Sequence, residues 1–253
     1  MGAGHGHKLH YHGHSVVHRA PAHVKLVALL GFMLVVVATP RDWYPAFALY
    51  AALLLAVVAA SRVPPTYLGK RMVVEVPFAL FAVLVPFVAH GPQVEVLGVS
   101  VSEPGLVAAA GLLMKGTLGV LASLTLAATT EPDDVLRGLQ RLRMPDVLVQ
   151  IMGFMIRYLD VVTGEMGRML TAMKSRGCNP RSPRHWPTLA RSLGALFIRS
   201  YERGERVHLA MLSRGWTGRM PPLSEARTSG RQWLAGLAPV PVALALAITG
   251  MLS

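Results

Sequence analysis

Charge is scarce in this chain. Only 15% of its 253 residues are Asp, Glu, Lys or Arg, where a water-soluble domain carries about 25%. Acids are the scarcer sign, 13 against 25 Lys and Arg, leaving a net charge of +12. Cysteine occurs once, as Cys178. That excludes an intrachain disulfide and a cysteine-based zinc cluster. No Gly-x-x-x-x-Gly-Lys-Ser/Thr sequence occurs, so the chain cannot hold ATP in the manner of a P-loop. The metalloprotease pattern His-Glu-x-x-His and the hydrolase elbow Gly-x-Ser-x-Gly are also missing. The His-rich N-terminus does not read as a secretory signal: its first apolar run has no small-residue cleavage site and leads into a second.

What the chain has instead is long apolar runs. A bilayer core of about 30 Å needs roughly 20 helical residues, or about 17 at the short end. In chain order the apolar runs cover residues 24–39, which is marginal with Lys25 at its edge, and 43–60, 73–89, 105–130 and 233–252, which meet this. Pro77 and Pro86 are expected to bend the third. The fourth is rich in Gly, Ala, Ser and Thr, which lets neighbouring helices approach closely. Cations set the orientation. Lys8, Arg19 and Lys25 precede the first run, only Arg41 follows it, and Arg62, Lys70 and Arg71 follow the second. Residues 90–104 have none, and residues 131–232 hold 17 of the 25. The alternation predicts a cytoplasmic N-terminus, a large cytoplasmic segment and an external C-terminus. The fold class is therefore an all-α polytopic membrane protein with about five transmembrane helices plus long amphipathic cytoplasmic helices. Its expected parts are a His-rich cytoplasmic arm over 1–23, four spans over 24–130, cytoplasmic helices over 131–232 and a last span over 233–253.

The cytoplasmic segment carries its own pattern. After Met144-Pro145, the residues Leu148, Met152, Met155, Leu159, Val162, Met166, Met169 and Met173 recur at three and four positions. That stripe predicts one long amphipathic helix ending at Gly177. A second is expected from about Pro187 to Gly215, on Leu189, Leu193, Leu196, Phe197, Tyr201, His208 and Met211. A shorter amphipathic piece over 132–143 precedes both. Asp133 and Asp134 suit its start, as capping acids rather than catalytic ones. Both long helices close on nearly the same words. Ala172-Met173-Lys174-Ser175-Arg176-Gly177 returns 38 residues later as Ala210-Met211-Leu212-Ser213-Arg214-Gly215. Glycine permits a left-handed cap, and the arginine before it falls near the negative end of the helix dipole. Of 13 methionines, eight lie between Met144 and Met220. Such stripes serve surfaces that repack against partners or pack helices together; core packing is the expectation for any single one.

With these features in place, the sequence resembles the transmembrane T component of energy-coupling factor (ECF) transporters, in its cobalt-type CbiQ branch. The resemblance runs from Ser15 onward. It is carried by Val17-His18-Arg19 with Lys25, by Pro132, Met144-Pro145 and Arg157-Tyr158, and by the two Arg-Gly helix ends. The family's motifs end Ala-Arg-Gly; here both read Ser-Arg-Gly, with arginine and glycine kept. The resemblance implies a non-catalytic coupling subunit of an ATP-driven importer, for cobalt ions, in a bacterial or archaeal cytoplasmic membrane. It implies two ABC-type ATPase subunits and a substrate-binding membrane subunit as partners. Residues Ala172, Ser175, Arg176, Gly177, Ala210, Ser213, Arg214 and Gly215 would couple to the ATPases. No cofactor would bind this chain directly, and ATP would sit on the partner.

Three further features leave alternatives open. Seven of ten histidines lie in the first 23 residues, and His5, His7, His10, His12 and His14 are candidate metal ligands. A flexible arm imposes no geometry, so the expectation is metal buffering, a place in a cytoplasmic metal exit, or no role. Glu75 and Lys115 fall inside spans; Lys115 either snorkels, pairs with a neighbour such as Glu75, or serves transport. Competing functions are a stand-alone membrane carrier or enzyme with its active site in the cytoplasmic loop, and a loop that binds anionic lipid or nucleic acid. The scattered acids of the loop argue against the former. The matched placement of Arg176 and Arg214 argues against the latter, so the bilayer is an expected partner and nucleic acid is not.

Overall fold

The computed structural model describes residues 15–96 and 99–218, together with Tyr11, Gly13, Gly230, Trp233, Leu237, Pro241 and residues 243–245. Helix dominates. The elements are α1 (Val16–Arg19), α2 (Ala22–Ala38), α3 (Tyr44–Ser61), α4 (Pro65–Gly69), a 3-10 turn (Met72–Glu75), α5 (Val76–Val88), β1 (Gln93–Val96), β2 (Val99–Ser102), α6 (Glu103–Thr129), α7 (Pro132–Arg141), α8 (Asp146–Ser175), a second 3-10 turn (Pro183–His185) and α9 (Trp186–Leu212). They fall into two compact units, one formed by Leu9–Gly138 with Ala226–Ser253, the other centred on Leu139–Glu225.

Helix boundaries follow local chemistry. Thr39 precedes Pro40, whose ring disfavours helical backbone at the residue before it. Thr39 is accordingly extended (φ −65°, ψ 132°) and ends α2. Proline in the first turn, where a missing N–H costs nothing, opens α3, α5 and α6. Pro77 therefore starts a helix rather than bending one. The expected bend is replaced by a change from 3-10 to α geometry at Glu75–Val76, and only Pro86 lies inside α5. Within a stretch expected as a plain connection, Gln93–Val96 and Val99–Ser102 pair antiparallel, with Gln93 opposite Ser102 and Val96 opposite Val99.

The first unit is a helical bundle around α2, α3 and α6. Phe32, Val36, Phe47, Tyr50, Leu54 and Leu118 centre its core, with Ala243 of the C-terminal stretch. Tyr50 is fully buried and stands edge-on to Phe32 and Phe47 at 6.1 and 6.2 Å. Its hydroxyl donates to the Ala243 carbonyl at 3.3 Å and lies 3.1 Å from Thr39 Oγ1. Close approach of α5 and α6 depends on Gly105: a β-carbon there would come within 2.8 Å of the Pro86 backbone.

Among the described residues, four helical stretches are long and apolar enough to cross a membrane: Tyr44–Ser61, Pro65–Val88, Glu103–Thr129 and Asp146–Ser175. Ala22–Ala38, at 17 residues, is shorter. The expected last span, 233–252, lies mostly outside the described residues, as do His5, His7, His10, His12 and His14. The protein is a multi-pass membrane protein whose described part is almost entirely helical.

Candidate functional site at two matched helix ends

Both repeated motifs fold into the same object. At the end of α8, Gly177 N–H donates to the Lys174 carbonyl at 3.0 Å and Cys178 N–H reaches back to the Met173 carbonyl at 3.0 Å. At the end of α9, Gly215 N–H donates to Leu212 at 2.9 Å and Trp216 N–H to Met211 at 3.0 Å. This nested pair of bonds is the Schellman arrangement. It needs a left-handed residue at the glycine, and Gly177 and Gly215 have φ of +78° and +79°. Each motif serine turns its hydroxyl back onto the alanine carbonyl three residues earlier, Ser175 to Ala172 at 2.9 Å and Ser213 to Ala210 at 3.0 Å. The serine hydroxyl's one donor is thereby used within its own helix end.

All eight motif residues are exposed. Arg176 and Arg214 make no side-chain hydrogen bond or ion pair among the described residues. Each is a rigidly mounted cation with five unused donors at the carbonyl end of a long helix.

The two rods that carry these tips pack antiparallel. Ser192 Oγ donates to Met173 Sδ at 3.2 Å, and Glu165 accepts from Arg199 at 3.2 Å and from Arg203 at 3.4 Å. Further along, Gln150 Nε2 donates to the Gly218 carbonyl at 3.0 Å. In that register Arg214 falls opposite the start of α8, so the two tips lie at opposite ends of the pair, roughly 35 Å apart at 1.5 Å per residue. Glu165 and Arg203 were overlooked among scattered charges. Each stands eleven residues before its motif arginine (176 − 165 and 214 − 203). Opposite charges at equivalent points of a repeat were a readable signal of pairing.

The apolar stripe behaves differently from expectation. Met173 is the buried member in α8 and Leu196 in α9. Met155 is 66% exposed and Phe197 72%. Leu148, Ile151, Leu159, Leu193 and Tyr201 are open as well. Two helices in contact can cover only one side of each other, so Met152, Val162, Met166 and Met169 are half-buried while the rest of the α8 stripe before Met173 stays exposed.

The in-span charges are used within the first unit. Lys115 Nζ donates to the carbonyls of Val37 and Thr39, both at 2.8 Å. Those are orphan acceptors at the end of α2. Lys25, at the start of α2, donates to Thr129 O at 2.9 Å and Thr130 Oγ1 at 3.2 Å at the end of α6, and to His18 O at 3.3 Å. Each helix thus lends a lysine to the other's C-terminus. Lys115 does not pair with Glu75, whose carboxylate accepts instead from Thr117. Among the described residues no group of three or more His, Cys, Asp or Glu could hold a metal ion.

Comparison with known proteins identifies relatives of the chain. Residues 13–223 match the family model CbiQ, described as cobalt transport protein. The chain is 28% identical to the cobalt transport protein CbiQ of Rhodobacter capsulatus over 205 residues, 81% of this chain and 82% of that one. It is 30% identical to the energy-coupling factor transporter transmembrane protein EcfT of Bacillus selenitireducens over 240 residues, 89% of this chain and 87% of that one. With the EcfT protein of Bacillus subtilis it shares 25% identity over 234 residues, 87% of this chain and 86% of the relative. The chain belongs to the CbiQ/EcfT family of cobalt and energy-coupling factor transporter membrane components, which are transport subunits rather than enzymes.

Proposed function

We propose that this chain is the coupling subunit of an ATP-driven ECF-type importer for cobalt ions. In this reading Arg176 and Arg214 each enter a groove on one of two ABC-type ATPase subunits. Closure of the ATPase pair on ATP moves the two tips, and α8 and α9 carry the movement to a substrate-binding membrane subunit. ATP is held by the ATPases; this chain binds no cofactor. Cobalt as cargo is supported by the name of the Rhodobacter capsulatus relative, and membership of an energy-coupling factor transporter by those of the EcfT relatives.

The observation that carries the reading is the pair of identical, exposed, glycine-closed helix ends, each with an unengaged guanidinium. Arginine suits the task because its planar fork makes several directed hydrogen bonds to carboxylates or carbonyls. Two tips on one rigid pair engage two related sites together, which multiplies apparent affinity. Their separation of roughly 35 Å suits two subunits better than one. The broad apolar surface left on α8 and α9 suits a membrane-embedded partner. Although α8 alone is apolar enough to span a bilayer, it lies along α9, which carries Arg191, Arg199, Glu202, Arg203, Glu205 and Arg206. A helix with six charges does not sit in hydrocarbon, which supports a cytoplasmic place for both.

The test is co-purification with the cognate ATPase. Arg176→Glu with Arg214→Glu should lower recovery of the ATPase by at least about tenfold, since charge-assisted contacts are lost and repulsion added at both sites. Cobalt uptake should disappear with it. Undiminished complex and uptake in the double variant would overturn the reading.

A further inference from the structure

Within the first unit a cavity of about 550 Å³ opens between α1, α2, α3 and α6. Its lining is ordered by polarity. Arg19, Lys25 and Thr129 stand at one end, the start of α2 and the end of α6. Leu29, Phe32 and Leu53 lead away from them. From Lys25 to Phe32 is seven residues of α2, about 10 Å along the helix axis, against about 15 Å for one leaflet's half of the hydrocarbon core.

The two cations at the mouth are not equivalent. The Lys25 ammonium has three donors, and three acceptors meet them: His18 O, Thr129 O and Thr130 Oγ1. Asp134, close enough for Lys25 to feel its charge, is itself paired with Arg137 at 3.0 Å. Arg19 is exposed and has no side-chain hydrogen bond or ion pair among the described residues. A free guanidinium thus stands over an apolar slot, beside a lysine whose donors are taken.

A purely apolar guest gives no use to Arg19, and a soluble anion gives none to the slot. We infer that this groove binds an anionic phospholipid, its phosphate on Arg19 and one acyl chain running past Leu29 and Phe32. Basic pockets between transmembrane helices recognise anionic headgroups in this way, and guanidinium meets phosphate with two parallel hydrogen bonds.

The purified full-length chain, in detergent, is offered equal amounts of phosphatidylglycerol and phosphatidylcholine, and bound lipid is counted by native mass spectrometry. Phosphatidylglycerol should be enriched in the wild type. Arg19→Gln should reduce that enrichment roughly five- to tenfold. Ala56→Trp, which fills the slot from α3 and leaves Arg19 in place, should remove the retained lipid of either kind, with an unchanged helical circular dichroism spectrum showing that the bundle is intact. Equal retention of the two lipids by wild type would overturn the proposal. So would an unchanged ratio in Arg19→Gln, or undiminished binding in folded Ala56→Trp. Displacement of phosphatidylglycerol by inorganic phosphate alone would mark a site for free anions and would equally overturn it.

Discussion

At the level of single residues, the repeated hexapeptide separates into parts with different tolerances. The glycines answer to backbone conformation. At φ of +78° and +79°, a β-carbon clashes with its own chain and costs about 1–2 kcal/mol. Nothing lies within 4 Å of where that carbon would be placed in either glycine, so the cost is confined to the backbone. Gly177→Ala or Gly215→Ala should therefore lower thermal stability by about 1–2 kcal/mol, and Gly177→Asn by less, since asparagine tolerates the left-handed region. The serines answer to nothing outside their own turn. Ser175→Ala with Ser213→Ala should leave stability within about 0.5 kcal/mol and ATPase co-purification unchanged. Thermal unfolding and pull-down on the same preparations measure both. A serine effect as large as the glycine effect would show that the hydroxyls have partners beyond the tip.

At the level of elements, α8 and α9 are joined by few polar contacts, and Glu165 is the hub of the ionic ones. Its side chain is 15% exposed and lies between Arg199 and Arg203, which are 60% and 39% exposed. Surface pairs contribute little, about 0–1 kcal/mol, but a mostly buried carboxylate held by two arginines is costlier to strand. Glu165→Arg should lower the unfolding midpoint, and adding Arg203→Glu should recover a large part of the loss. The coupling in this double-mutant cycle should be about 1 kcal/mol or more. A coupling near zero would mean that the rods are aligned by apolar contact alone. The helices Ala22–Ala38, Tyr44–Ser61, Val76–Val88 and Glu103–Thr129 and both long helices could be read from the sequence to within a few residues, because Pro, Gly and charge punctuate the apolar runs where the chain leaves each helix. The antiparallel pair Gln93–Val96 and Val99–Ser102 was also written there, in the alternation of Val94, Val96, Val99 and Val101, but a four-residue strand offers too few periods to stand out. Lys115 was legible as a cation inside an apolar run but its acceptors were not. Which helix end lies beside it is set by the packing of α2 on α6, which no local pattern encodes. The identical closure of the two tips was legible down to the glycine; the exposure of Leu148, Met155 and Leu159 within the apolar stripe was not, since periodicity says that a face is apolar without saying what covers it.

At the level of the whole chain, burial is divided unequally. Of the 19 buried hydrophobic residues among those described, 17 belong to the bundle formed by Leu9–Gly138 with Ala226–Ser253, and only Met173 and Leu196 to the unit centred on Leu139–Glu225. Yet α8 and α9 together are longer than any two helices of the bundle. Helices of this length draw most of their stability from covering an apolar face rather than from intrinsic propensity, and here the faces are largely bare. On the proposed function, the second unit draws stability from what it binds. Local opening should follow: amide hydrogen exchange in the isolated, detergent-solubilised chain should be faster over α8 and α9 than over α2 and α6, whose packed faces restrict opening. Binding of partners raises the stability of whatever they cover in proportion to their occupancy. Assembly with the ATPases alone should therefore slow exchange chiefly at Met173–Cys178 and Met211–Trp216. Assembly with the substrate-binding subunit should slow it along Leu148–Leu159 and Leu193–Tyr201. Protection that is equal in both units before any partner is added would mean that the second unit is self-sufficient, and its exposed apolar surface would then require a different explanation.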